Sequence, residues 1–436
     1  MLGRTWGGRR AWRRPTGVPV LIFAAAASLS ACGSLATVAV HNTGTGAATD
    51  GQAQTATPPN AVPATARSTK PTTATTRTAT TKPAPTTTTL PLLTVAKFTP
   101  ANAATEAQVL TGKAQGVAST TPLLITYNRA PWHGYPLPTI SPAMPGKWSQ
   151  AAPNKLAFEP AGYWQPGTTY TVSVPVAAGA KTKFKFTTQL PPVLALQQYL
   201  AMLGYLPLRF TPTGDIPNRN AVLAKEPANP YLVPQAPVGG VFTWAYPDVP
   251  TQLWAQWHRA QPNVMTTSAV MEFEDANGLA PDGQPGPLVW HALLQDIAKR
   301  ATDPNPYNYV MVSESLPETL YVWQDGKFVY NTLTNTGVNG ANTPLGTWPV
   351  AYKQNPNLMK GCDVNGSCYQ VWVKYASYFL PTIGDAIHAY PRASYGFPQS
   401  NGCVEVPESQ GAVVYSYDPV GTLVTVTSWK GPAQVG

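Results

Sequence analysis

Residues 378–407, YFLPTIGDAIHAYPRASYGFPQSNGCVEVP, decide how the chain is read. They hold a cysteine and a histidine placed where each can matter to the other. Cys403 lies in Ser400-Asn401-Gly402-Cys403-Val404, and Gly402 lets the backbone approach another molecule closely while successive amides point one way. Of five histidines in the chain, His388 is the only one beyond residue 300. A thiol with a pKa near 8.5 is mostly protonated at neutral pH, and an imidazole near 6.5 is the group best matched to taking that proton. The pair is therefore the candidate nucleophile and base.

The other three cysteines have different contexts. Cys32 follows an apolar N-terminal run, and Cys362 and Cys368 flank the turn-forming Asp-Val-Asn-Gly-Ser. In an exported protein that short spacing reads as a disulfide, which leaves Cys403 as the odd thiol. Two other readings stay open on the residues alone. Cys362, Cys368, Cys403 and His388 could ligate zinc, although the five-residue gap lacks the tight spacing of structural sites. A lone cysteine and histidine could also be inert core residues. No cofactor is called for.

TPLGTWPV at 343–350 precedes this stretch, and alternating runs surround it: Tyr309–Val312, Thr319–Trp323, Phe328–Tyr330, Tyr369–Val373 and Leu423–Thr427. They are rich in β-branched and aromatic residues, and Gln324-Asp325-Gly326-Lys327 has the makings of a hairpin turn. A mostly β domain over 301–430 is expected. Thr343-Pro344-x-Gly346-Thr347, Tyr378-Phe379, Ile387-His388, Gly396 and Ser400-x-Gly402-Cys403-Val404 together resemble the L,D-transpeptidase (YkuD-like) family, in the family's order. The resemblance implies a cysteine acyltransferase. Cys403 is the nucleophile, His388 the general base and acid, Gly402 an oxyanion-hole backbone and Ser400 a supporting group. Tyr378 and Asn401 are the expected substrate-lining residues, with core packing the plainer reading of Tyr378. Thr343 and Thr347 are expected to shape a turn, and Glu405 to be a solvated or locally paired carboxylate. Three departures stand out. Asn401 replaces the family's usual histidine, Glu405 stands near its usual arginine or asparagine, and the interval from His388 to Ser400 is a few residues short.

Upstream, 189–300 turns helical. Val193, Leu196, Leu200 and Leu203 share one helix face, and Gly204 is placed to stop it. AVMEFEDANGLAPDGQPGPLVWHALL, residues 269–294, resembles the three-helix peptidoglycan-binding fold, with an insertion at 209–264 whose role is open. Residues 96–188 carry strand-like runs at Leu123–Tyr127, Lys155–Phe158, Tyr170–Val174 and Lys183–Phe186, punctuated by Pro131, Pro145-Gly146 and Pro166-Gly167. The string FEPAGYWQPGTTYTVSV, residues 158–174, resembles the bacterial Ig-like domains that precede such catalytic domains. The expected architecture is therefore multidomain and mainly β: an Ig-like β-sandwich, a small helical peptidoglycan-binding-like domain, and a β-rich catalytic domain.

The first 95 residues read differently. Arg4, Arg9, Arg10, Arg13 and Arg14 precede the apolar run Val18–Ala27, too short to span a bilayer permanently. The run ends in Leu29-Ser30-Ala31-Cys32, which resembles a lipobox with Cys32 as the acylated residue; an ordinary secretory signal is the plainer alternative. Residues 1–31 are thus read as a lipoprotein signal and 32–95 as a tether. Thirteen of the 25 residues from Thr65 to Thr89 are threonine, a composition that cannot offset its own ordering entropy. Of the net charge of +9, five arginines lie in the signal and Arg67, Lys70, Arg77 and Lys82 against Asp50 add three, so the body carries +1. A near-neutral body with no basic stripe argues against nucleic acid as a partner. The resemblance implies peptidoglycan stem peptides as partners, a donor tetrapeptide and an acceptor amine, a membrane reached through the lipid anchor, and carbapenem inhibitors. The expected location is the outer face of the cytoplasmic membrane. L,D-carboxypeptidase or hydrolase chemistry, or a catalytically inactive wall-binding lipoprotein, are the alternatives.

Overall fold

The computed structural model describes residues 93–100, 114–131, 133–176, 180–214 and 228–432. The signal, Cys32 and nearly all of the tether lie outside these residues. Everything described belongs to one compact unit, Thr86–Gly436.

Eight strands build the first part: β1 (Val95–Pro100), β2 (Ala114–Val117), β3 (Leu123–Tyr127), β4 (Thr139–Ser141), β5 (Gly146–Ala152), β6 (Lys155–Pro160), β7 (Thr169–Pro175) and β8 (Lys181–Thr188). They form two four-stranded sheets, ordered β1-β3-β6-β5 and β2-β8-β7-β4. Alternation explains why they stack. Leu123, Ile125 and Tyr127 of β3 face the same core as Tyr170, Val172 and Val174 of β7 and Phe184 and Phe186 of β8. Trp164 fills the centre. It packs edge-on to Tyr170 and Phe186 at 4.7 and 5.1 Å and donates its indole N–H to Thr121 O at 2.7 Å.

Three helices of eleven or more residues follow: α1 (Val193–Leu203), α2 (Val264–Ala276) and α3 (Pro287–Lys299). Gly204 ends α1 in a left-handed conformation, φ 94°, and returns its N–H to Leu200 O, as its position implied. Asn263 opens α2 by accepting the N–H of Thr266 at 2.8 Å. Between α1 and α2, β9 (Leu208–Pro212) and β10 (Gly240–Trp244) pair antiparallel. Phe210, Val233 and Leu253 from the 209–264 segment are buried in the same core as the helices, so its described parts help to build that core.

The last part contains β11 (Asn308–Ser313), β12 (Thr319–Gln324), β13 (Lys327–Leu333), β14 (Gly346–Pro349), β15 (Tyr352–Gln354), β16 (Asn357–Cys362), β17 (Cys368–Leu380), β18 (Asp385–Ala389), β19 (Val404–Val406), α4 (Glu408–Tyr417) and β20 (Leu423–Thr427). One sheet runs β13-β12-β11-β20-β14, the other β15-β17-β18-β19 with β16 paired to β17. Asp325 and Gly326, at φ 47° and 95°, make the tight turn between β12 and β13. Strand β11 is buried along its whole length, and its continuous apolar run has two destinations. Val310 and Val312 face the second sheet through Ile387, Val404 and Val406, whereas Tyr309 and Met311 face the helices. Residues on either side of residue 300 therefore contribute to one core.

Candidate active site

Cys403 is placed by a network that begins with the pairing of β18 and β19. These strands run parallel, with Ile387 opposite Val404 and His388 opposite Glu405. Cys403 immediately precedes β19, so the thiol and the imidazole are carried by neighbouring segments and line one cavity. The turn before it is fastened from two sides. Ser400 Oγ accepts the N–H of Gly402 at 3.2 Å and donates to Cys403 O at 2.5 Å. Thr343 Oγ1 accepts the N–H of Gly337 at 2.9 Å and donates to Gly402 O at 2.6 Å. The backbone of Asn335 exchanges two hydrogen bonds with Glu405, each 2.9 Å. Gly402 sits at φ +115°, and a Cβ there would lie 2.4 Å from Asp385 Oδ1. Glycine is required at this position both by the backbone angle and by the close approach.

Two cavities meet at the cysteine. One, of about 440 Å³, is lined by Cys403, His388, Glu405, Arg392, Tyr390 and Asn401 together with the β16–β17 hairpin. The other, of about 610 Å³, is lined by Cys403, Tyr378, Tyr352, Asp385 and Asn401. The hairpin that walls both is closed by a disulfide between Cys362 and Cys368, which face each other in register. That bond removes two of the four residues from the zinc reading. Cys403 is the free thiol among the described residues.

His388 is 4% exposed, and its Nδ1 lies 3.2 Å from Ala389 O. With Nδ1–H donated to that carbonyl, Nε2 is the nitrogen left to accept a proton. Burial pulls the imidazole below its ordinary 6.5, with the Ala389 hydrogen bond acting the other way, so it is neutral at neutral pH. The half-buried Cys403 has its sulfur recessed between the cavities. Desolvation, and then the carboxylates of Asp385 and Glu405, push the thiol up to about 12, while an Ala386 backbone hydrogen bond opposes them. The sulfur's own hydrogen bond goes to Gly384 O at 3.8 Å. The resting pair is thus a neutral thiol and a neutral imidazole, so ionisation must accompany attack on a substrate.

The remaining sequence candidates fall as follows. Tyr378 serves both readings. It is buried, stacks on Tyr352 at 4.5 Å, accepts a hydrogen bond from Asn357 at 2.6 Å, and lines a cavity with Cys403. Asn401 is exposed and borders both cavities. Thr347 binds the Thr425 hydroxyl at 2.7 Å, away from either cavity. Glu405 is locally paired: Arg392 Nε and Nη2 donate to its two oxygens at 2.8 and 2.7 Å. Gly402's N–H is engaged by Ser400 Oγ, so it reaches an oxyanion only if that hydroxyl turns away.

Sequence reasoning missed Asp385 and Arg392. Asp385 is 4% exposed and its Oδ2 has no hydrogen-bond partner; desolvation pushes the carboxyl up to about 6. A signal was present, since Asp385, Arg392 and Glu405 are the only Asp, Glu, Lys or Arg residues in 378–407.

Cys403 and His388 thus line one cavity beside a disulfide-closed hairpin. Residues 307–426 match the L,D-transpeptidase (YkuD) catalytic domain family. The transpeptidase domain thus covers the second two-sheet unit. Among solved structures, an L,D-transpeptidase from Mycobacterium smegmatis is 14% identical, over 77% of this chain and 98% of its own, with a TM-score of 0.25. The catalytic domain of the Enterococcus faecium L,D-transpeptidase is 26% identical over 27% of this chain and 95% of its own, TM-score 0.26. L,D-transpeptidase 3 from Mycobacterium tuberculosis, in complex with a faropenem-derived adduct, is 14% identical over 74% and 97%, TM-score 0.26. No curated protein matches the chain. The assignment of the transpeptidase domain rests on the family match over 307–426.

Proposed function

We propose that this protein is an L,D-transpeptidase that forms 3→3 peptidoglycan cross-links through an acyl-enzyme on Cys403. The observation that carries this reading is the meeting of Cys403 and His388 on one cavity within a domain of that family. Cys403 Sγ attacks the carbonyl after the L-centre of diaminopimelate in a donor tetrapeptide, while His388 Nε2 takes the thiol proton and passes it to the departing D-alanine amine. The thioester that remains is attacked by the side-chain amine of an acceptor stem, whose proton His388 accepts. The developing oxyanion is assigned to the N–H of Cys403, joined by Gly402 when Ser400 Oγ releases it; a donor of this kind contributes roughly 3–4 kcal/mol. Tyr378 and Asn401 line the donor's path. Carbapenems, whose strained amide presents the same carbonyl, are expected to acylate Cys403.

The same proposal assigns the rest of the chain. Residues 96–188 serve as an Ig-like spacer and 189–300 as a peptidoglycan-binding-like module, with 1–31 a lipoprotein signal, Cys32 the lipid-bearing residue and 32–95 the tether. The head would then work at the outer face of the cytoplasmic membrane.

The test is product mass after incubation with disaccharide-tetrapeptide. A cross-linked dimer that has lost one D-alanine supports the proposal. Trimmed tripeptide alone would replace it with L,D-carboxypeptidase chemistry, and unchanged substrate with sacculus binding would leave a wall-binding protein.

A further inference from the structure

The two cavities flanking Cys403 differ in chemistry. Only the cavity of about 440 Å³ contains His388, and it also contains Arg392 and Glu405. Its neighbour is walled by Tyr352, Tyr378 and Leu358 and holds Lys360 and the buried Asp385, but neither His388 nor the Arg392–Glu405 pair. The group that His388 deprotonates has to lie on the His388 side. We propose that the Arg392–Glu405 pair is the seat for the zwitterionic end of the acceptor: the side-chain centre of diaminopimelate, which carries an ammonium and a carboxylate on one carbon. This rests on the transpeptidase reading and adds the acceptor's recognition chemistry to it.

The pair is built to hold both charges. Arg392 presents five N–H donors in a plane. Nε and Nη2 serve Glu405, and Nη2 also reaches Gln399 O at 3.1 Å, which leaves the Nη1 edge for a substrate carboxylate. Each oxygen of Glu405 accepts one of these bonds and retains a lone pair for an ammonium. Glu405 stands in register with His388 on the adjacent strand, so an ammonium held there is beside the base that must deprotonate it. A zwitterion laid antiparallel on the ion pair places each charge against its opposite, whereas a lone amine or a carboxamide leaves one side unanswered.

The seat is also preformed. Glu405 is 4% exposed and clamped through its backbone to Asn335. The guanidinium lies 4.8 Å above the Tyr390 ring, and Tyr395 accepts the N–H of Arg392 at 3.0 Å while donating to Tyr390 O. Such half-buried ion pairs add little net stability, because desolvation cancels most of the attraction. Recognition gives a reason for this one to sit in the cavity.

The experiment uses the full-length enzyme with disaccharide-tetrapeptide as donor. Three disaccharide-tripeptides serve as acceptors, because they lack the D-alanine needed to act as donors. They carry diaminopimelate with a free side-chain carboxylate, the same residue with a carboxamide, or lysine. Mass spectrometry gives kcat/KM for each cross-link. The wild type is expected to favour the carboxylate over the carboxamide by about 10-fold or more, since the paired charge is worth about a factor of ten or above. In R392Q/E405Q that ratio falls to near one, and Arg392→Lys, which keeps the charge but loses the fork, falls between. If the double variant does not fold, the Lys variant carries the test. Equal use of carboxylate and carboxamide by the wild type, or a wild-type ratio in the folded variants, overturns the proposal while an acyl-enzyme still forms. Failure to form any acyl-enzyme overturns the transpeptidase reading with it.

Discussion

The β1–β8 sandwich and the transpeptidase domain are both two stacked β-sheets, but they bury different things. Among the described residues, the buried polar residues of the sandwich are Thr121 and Thr188, around a centre of Trp164, Tyr170 and Phe186. The transpeptidase domain buries Glu318, Asp385, His388, Glu405 and Asp418. Three of these carboxylates are answered: Glu318 by the N–H and hydroxyl of Thr336, Glu405 by Arg392, and Asp418 by Lys353 at 2.9 Å. Burying ionisable groups is costly without partners, so their concentration in one unit marks where the fold gives up stability for chemistry. The sandwich, which gives up nothing, is expected to act as a stiff support.

The sharpest test of this contrast is His388→Ala. Loss of the general base is expected to slow acylation of Cys403 by about 10²–10⁴-fold, read from adduct formation over time. The wild-type rate itself should fall only below pH 6.5, because burial lowers the imidazole's pKa and protonation removes the base at more acid pH. In the sandwich the opposite split is expected. Phe186→Ala removes a fully buried ring and should cost about 3–5 kcal/mol in chemical denaturation, with the acylation rate of the folded protein unchanged. A fall in acylation there would show that the sandwich takes part in the chemistry.

Asp385 is the point where the two regimes meet. Its carboxyl is raised from 3.8 to about 6 in the fold, so the folded state favours the protonated form. Stability from this group is fully present below pH 3.8 and is lost as pH rises through about 6. Asp385→Asn should therefore gain on the wild type between pH 4 and 7, by about 3 kcal/mol at most, in unfolding titrations at both pH values. A difference independent of pH would remove Asp385 from the account. The smallest effect is expected at Asn263→Ala, where loss of the α2 cap should cost about 1 kcal/mol in thermal unfolding and leave the active site intact.

How much of this was legible in the sequence follows from the range of each interaction. Strand runs such as Leu123–Tyr127 and Leu423–Thr427, the Asp325-Gly326 turn and the Gly204 helix stop were readable because period and turn chemistry are local. The Cys362–Cys368 bridge was readable for the same reason. The double burial of β11 was not, because a continuous apolar run does not say that its two faces belong to different cores. The residues flanking Cys403 divided in the same way. Cys403, His388 and Ser400 carry a motif, whereas the Arg392–Glu405 fork, the Thr343 clasp on Gly402 and the buried Asp385 depend on contacts across 13 to 59 residues.

The central claim is that Cys403 is the nucleophile, and intact-mass analysis of the protein incubated with a carbapenem tests it most directly. The account predicts one covalent adduct per chain on the wild type, mapped by peptide digestion to Cys403, and no adduct on Cys403→Ala. An adduct that persists in Cys403→Ala, or a wild type that stays unmodified, would contradict it.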